Sequence, residues 1–310
     1  MSRDEESPIA AIANAVVPLV IVFFAAYALK RARLLAADDG RALLRVVYFV
    51  GIPPLIFLSI MKVDIDASLL RLCLFVPFTT GIMMVIVLGL RRSALREVRA
   101  TAFGPLLVGT VVMNTGFLLP FVERIAGAEG LARLVIIDTS NAIMTFSVVY
   151  VVLLRVAQDT PDVGFVVRRL VLSPPLWALV TAIIAKVLEL KLPVVLWDTF
   201  EIGAALVGTA VVVALGLLFE ASIRGPRLLF LALVLRFGLG LALGLAFVRI
   251  MELDGLDAGI VMFASVAPLG MNSIMFAELE RLDVDFAASL VSISLVIAIV
   301  ASPLTAQFLK

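Results

Sequence analysis

Val111-Val112-Met113-Asn114-Thr115-Gly116-Phe117-Leu118-Leu119-Pro120-Phe121 is an apolar run interrupted at its middle by an amide, a glycine and a proline. A second run, Phe263-Ala264-Ser265-Val266-Ala267-Pro268-Leu269-Gly270-Met271-Asn272-Ser273-Ile274-Met275-Phe276, is interrupted in the same manner by Pro268, Gly270 and Asn272. In hydrocarbon, backbone groups freed by such breaks must be buried in protein or line a cavity. Paired interruptions in two halves of a chain point to a substrate site near the bilayer midplane. The start of a half-helix offers unpaired N–H groups and a positive dipole end, which suit a carboxylate, and an asparagine amide adds donors and an acceptor. The candidate substrate residues are therefore Asn114, Thr115, Gly116 and Pro120 with Pro268, Gly270, Asn272 and Ser273. The plainer alternative makes Asn114 and Asn272 interhelical hydrogen-bond glue worth about 1 kcal/mol. Their symmetric placement beside Pro and Gly favours the site.

Composition sets the solvent for these runs. Of 310 residues 63% are hydrophobic, and the mean hydropathy is +1.16. Soluble domains are roughly 45–50% apolar, so the excess must face lipid. A crossing takes roughly 20 apolar residues, which allows about ten spans with short loops. The long continuous runs favour helices over the alternating segments of about 10 residues in a barrel. Ten segments are read: Pro8–Leu29, Ala42–Met61, Leu69–Leu90, Ala100–Phe121, Leu131–Leu154, Leu170–Leu188, Val194–Phe219, Pro226–Ile250, Asp257–Ala277 and Phe286–Phe308. The chain has no histidine, which excludes an imidazole relay, metal site or Ser-His pair. No metal site or cofactor is expected, nor any enzymatic activity or nucleic-acid partner, the net charge being +1. Cys73, in an apolar run, reads as a buried inert thiol. The acidic start Met1–Ala10 is not a signal peptide's basic n-region, so none is expected.

Lys and Arg set the orientation. Fifteen fall in the odd-numbered connections and nine on the opposite face, most unequally around Lys30–Arg45 and Arg91–Arg99. Odd connections are therefore placed in the cytoplasm and both termini outside, in a multi-pass protein of the cell (inner or plasma) membrane. The halves also resemble each other. Met113-Asn114-Thr115 is echoed 158 positions on by Met271-Asn272-Ser273, and the same offset carries Pro18 to a position beside Pro174 and Pro175. Five spans per half is an odd number, so the copies must insert with opposite topology. Residues 1–154 form the first repeat, 155–169 a cytoplasmic linker along the membrane surface, and 170–310 the second repeat.

Ionisable residues at depth are costly and mark ion or substrate paths. Asp138 shares a helix face with Asn141, and it either carries a coupling proton or pairs with a cation. Arg236 either neutralises an anion or snorkels to the interface along its stem, the latter being favoured. Glu278 ends segment nine as a further candidate for coupling or counter-charge. Gly51-Ile52-Pro53-Pro54 reads equally as a kink or as a flexible wall near the substrate, and Gly203, Gly208 and Gly216 as helix-packing positions.

These stretches resemble the auxin efflux carrier family, which includes the plant PIN proteins and many bacterial members. The resemblance covers nearly the whole chain. It rests on Asn114-Thr115-Gly116-Phe117 with Pro120, Gly127 and Gly130-Leu131; on Asp138 to Asn141; on Ser173-Pro174-Pro175; and on Ala267-Pro268, Ala277-Glu278, Asp283, Ser292 and Ser294. One departure is Leu118-Leu119-Pro120, where the family often has Gly-x-Pro. The resemblance implies an all-α integral membrane fold of ten helices in two inverted five-helix repeats, with broken crossover helices in segments four and nine, as in the bile-acid sodium symporters. It implies elevator-like transport of small organic anions, auxin-like or other carboxylates, by uniport or proton coupling, with Asn114 and Asn272 flanking the substrate carboxylate. It also implies a homodimer. The near alternative is a sodium-coupled organic-anion symporter, for which Asn114, Thr115, Asn272, Ser273 and Glu278 supply a sparse set of oxygen ligands. A receptor or structural subunit would have no need for broken helices.

Overall fold

The structure, a computed structural model, describes residues 8–62, 71–157, 164, 168, 171, 172, 174–219 and 223–309. Of the expected 155–169 linker, residues 158–163, 165–167 and 169 lie outside these, as do Leu69, Ser173 and Arg3.

Each of the ten apolar segments contains helix. In chain order these are α1 (Pro8–Arg31), α2 (Ala37–Lys62), α3 (Phe75–Arg92), α4 (Ala100–Val111), α5 (Thr115–Ala157), α6 (Pro174–Val187), α7 (Val194–Leu218), α8 (Pro226–Ile250), α9 (Gly255–Ser265), α10 (Asn272–Leu279) and α11 (Val284–Thr305), followed by a 3₁₀ turn at Ala306–Leu309. Among the described residues, six stretches are long and apolar enough to cross a membrane: α2, α3, α5, α7, α8 and Val284–Ala301 of α11. Among the described residues no strand forms, only one isolated antiparallel bridge between Met113 and Leu269. Large apolar side chains cover the outside, including Ile21, Phe49, Val85, Ile202, Phe230 and Val300. This outward-facing apolar surface fits an integral membrane protein.

Two groups of helices pack around the break-bearing stretches. In one, α1 and α2 pack on α6 and α7. Small residues let these backbones approach: a Cβ on Gly216 of α7 would lie 2.4 Å from the Phe23 carbonyl oxygen of α1. Gly203 receives the Pro54 ring of α2 in the same way, so Gly51-Ile52-Pro53-Pro54 is a packed surface, entered through a π-helical turn at Val47–Gly51. In the other group, α4 packs on α10, α11 and the later part of α5, while α3 packs on α8 and α8 on α9. The Thr115–Met144 part of α5 bridges the groups through contacts with α2 and α7. The Phe117 and Phe121 rings meet at a tilt of 41° with centroids 4.9 Å apart, and Phe121 meets Phe263 of α9 edge-on. A largely buried ion pair, Arg133 to Asp257, also ties α5 to α9.

Two readings are corrected. Segment four does not end at Phe121. The helix runs on to Gly127, whose φ of 57° and ψ of −151° turn the chain into the longer part of α5. Only a residue without a Cβ adopts that conformation without strain. Cys73 is exposed, not buried. It sits in the turn before α3, where its carbonyl accepts from the Ser140 hydroxyl at 2.7 Å.

Candidate functional site

The first break is written into Asn114. Helix α4 ends at Val111, Val112 is extended, and Asn114 takes non-helical angles (φ −86°, ψ 75°) as the N-cap of α5. Its Oδ1 accepts the Phe117 N–H at 3.3 Å, which competes with helix continuation, as short polar side chains do. The second break follows Ser265, where Pro268 has no N–H to give, and helix resumes at Asn272. Asn272 is the first residue of α10 rather than its cap.

The two breaks meet. The Asn114 N–H donates to the Pro268 carbonyl at 3.0 Å, and the Gly270 N–H to the Gly109 carbonyl at 3.2 Å. The approach requires Gly270, since a Cβ there would lie 2.7 Å from Val112 Cγ1. Polar side chains from the neighbouring helices complete the pairing. Asn141 of α5 donates its Nδ2 to the Met113 carbonyl at 3.0 Å and accepts the Met113 N–H at 3.4 Å. Ser294 of α11 accepts the Leu269 N–H at 3.0 Å. Thr80 of α3 donates to the carbonyl of Val111, the last residue of α4, at 3.1 Å. Asp138 accepts a hydrogen bond from the Thr115 hydroxyl. Backbone that would otherwise be orphaned in an apolar interior is thereby satisfied.

Among the described residues, three buried polar atoms remain without a partner: Asn114 Nδ2, Thr110 Oγ1 and Thr145 Oγ1. Asn114 is only 7% exposed, so its idle amide donor faces a protein interior at a helix start. An unmade bond there costs about 1–3 kcal/mol, which a ligand acceptor would recover. The first N–H groups of α5, at Thr115 and Gly116, point from the same end. Thr110 lies one turn before Asn114, and Thr145 one turn after Asn141 in a π-helical stretch at Thr145–Val149. Neither threonine stands out in sequence, since hydroxyls are common inside membrane helices.

The other expected residues are placed as follows. Thr115, Pro120, Pro268, Gly270 and Ser273 are buried, and Gly116 and Asn272 half-buried. Ser273 donates back to the Gly270 carbonyl at 2.9 Å. Asp138 and Asn141 converge on residues 113–115, and among the described residues Asp138 has no ion-pair partner. Glu278 is exposed in the last turn of α10, about 9 Å of helix beyond Asn272.

Arg236 requires a correction, because it does not snorkel. It is 1% exposed, in a π-helical turn of α8 at Val234–Leu239. Its Nε donates to the Ala267 carbonyl at 2.9 Å and its guanidinium to Ser265 and Ala264 carbonyls at 3.2 and 3.3 Å. The side chain therefore turns inward onto the C-terminal end of α9, whose carbonyls carry the negative end of the dipole.

Beside the breaks lies an apolar cavity of about 200 Å³, lined by Phe117, Leu118, Phe237, Phe263, Val266 and Ile297 among others. Among the described residues, no group of three or more acidic or cysteine side chains is arranged to hold a metal ion.

A family model described as membrane transport protein matches residues 11–162 and 162–306. An uncharacterized transporter of Methanothermobacter thermautotrophicus is 27% identical over 304 residues, covering 93% of this chain and 95% of its own length. An uncharacterized transporter of Methanocaldococcus jannaschii is 22% identical over 294 residues, covering 91% and 93%.

Proposed function

This chain belongs to the auxin efflux carrier family of membrane transport proteins, and we propose that it is a secondary transporter of small organic anions working by elevator-type alternating access. That it is a multi-pass membrane transporter rests on the family and on the six long apolar helices found among the described residues. The anion reading rests on one observation above all: the buried, unpartnered Asn114 amide at the start of α5, where the two breaks meet. A carboxylate placed there would take the amide hydrogen bond and the first N–H groups of α5, and would sit at the positive dipole end. The apolar cavity beside it would take the hydrocarbon part of an auxin-like anion.

In this reading the ten helical segments are two inverted five-helix repeats, and segments four and nine are the crossover helices. The group of α1, α2, α6 and α7 is the static scaffold. The group around α4 and α9 is the moving part, and it carries Asn114 and Asn272 between the two faces. Asp138, bound to Thr115 at the site, is the candidate for a coupling proton. The odd connections lie in the cytoplasm and both termini outside, and two copies form a dimer.

The test is counterflow in proteoliposomes with indole-3-acetate, malonate, malate and a bile acid, each with and without sodium and a pH gradient. Saturable exchange of a mono- or dicarboxylate supports the reading. Exchange of none of the four, by protein shown to be folded, contradicts the anion assignment.

A further inference from the structure

The two breaks are capped by different chemistry at equivalent places. Thr80 and Arg236 are 156 positions apart, the same separation as the bridge partners Met113 and Leu269. Both come from the helix before the broken one, and both donate to the carbonyl end of its first half. At the first break the donor is a neutral hydroxyl. At the second it is a permanent cation, and among the described residues no carboxylate pairs with it. The remaining guanidinium contact is Met83 Sδ at 3.9 Å, which is soft and uncharged.

Carbonyls at the C-terminal ends of half-helices, together with unwound backbone carbonyls, are the groups that coordinate sodium or protons in carriers built from broken helices. Here three of them, Ala264, Ser265 and Ala267, converge on the side chain of Arg236. We propose that Arg236 is a built-in counter-cation: it occupies the carbonyl cluster where a coupling sodium would sit, so that anion transport by this chain does not require sodium. The inference rests on the anion-carrier reading above and deepens it. It selects uniport or proton coupling over the sodium symporter. The guanidinium suits the role because it is never deprotonated in proteins and its planar fork satisfies several oxygens at once. Its stem holds the charge inside the protein throughout the cycle.

The experiment uses purified full-length protein and sodium itself as the probe. Thermal midpoints are compared in sodium chloride and in N-methylglucamine chloride at equal ionic strength, for wild type, R236Q and R236K. Wild type and R236K are expected to agree between the two salts to within about 1 °C. R236Q, with its carbonyls released, is expected to melt lower and to be raised by about 2–5 °C in sodium. Sodium stabilisation of the wild type overturns the proposal, as does an R236Q protein indifferent to sodium. If R236Q does not fold, R236K decides: it keeps the charge, so any sodium shift in it counts against the proposal. Anion binding is measured separately on N114D. Its persistence there sinks the anion site while leaving the sodium result intact.

Discussion

Asn141 holds Met113 by both edges of its amide, donating to the carbonyl at 3.0 Å and accepting the N–H at 3.4 Å. A side chain thus stands in for a neighbouring strand, and Met113 bridges Leu269 on its other side. The interruption of segment four is therefore a held structure, with its shape set from α5.

Removing that clamp leaves two buried backbone groups unpaired. N141A is expected to destabilise the protein by about 2–4 kcal/mol, since each orphaned group costs about 1–3 kcal/mol. Thermal unfolding in detergent checks this. A loss below about 1 kcal/mol would mean that water or a shifted backbone replaces the amide.

Helix approach in the α1–α7 pair has a sharp steric signature. G216A places a methyl 2.4 Å from the Phe23 carbonyl oxygen and 2.8 Å from Ala26 Cβ, so a loss of about 1–3 kcal/mol is expected. G89A on α3 meets nothing within 4 Å and is expected to be neutral or to gain up to about 1 kcal/mol. Equal melting of the two variants would contradict the packing described here.

The proposed orientation is tested by the native cysteine. Cys73 is the single thiol of the chain, it is exposed, and it precedes α3 on the face assigned to the outside. A membrane-impermeant maleimide is expected to label it in intact cells. Labelling only after permeabilisation would invert the topology.

Much of this was legible in the sequence, for identifiable reasons. The two breaks were readable because Asn114, Pro268 and Gly270 interrupt otherwise unbroken apolar runs, and few residue types do that. What holds the breaks was not. Asn141 shares a helix face with Asp138, which periodicity shows, but its partner is a backbone group, and backbone leaves no signal in sequence. Ser294 stood out only within a family pattern, and Thr80 not at all, since a hydroxyl in a membrane helix usually bonds its own backbone, as Thr79 does to the Phe75 carbonyl. Arg236 was misjudged because depth along a span does not tell which way a long stem turns. Here the π-helical turn directs it onto α9. Cys73 was misjudged because an apolar neighbourhood in sequence does not separate a core position from one in an exposed turn at a helix start. The helix end at Gly127 was missed because residues 122–126 can continue a helix, and only the backbone angle at Gly127 fixes the turn.

The claim that an anion binds at the Asn114 amide is tested most directly by N114D. Asp keeps the N-cap oxygen that accepts from Phe117, so folding is expected to stay within about 1 kcal/mol of wild type. It replaces the idle donor with a negative charge, so affinity for the transported carboxylate is expected to fall at least about 10-fold, or about 1.4 kcal/mol. Isothermal titration of the folded variant with the carboxylate active in counterflow reads this directly. A large loss of binding with an unchanged melting point is the predicted result. Binding equal to wild type would place the substrate elsewhere and contradict the account.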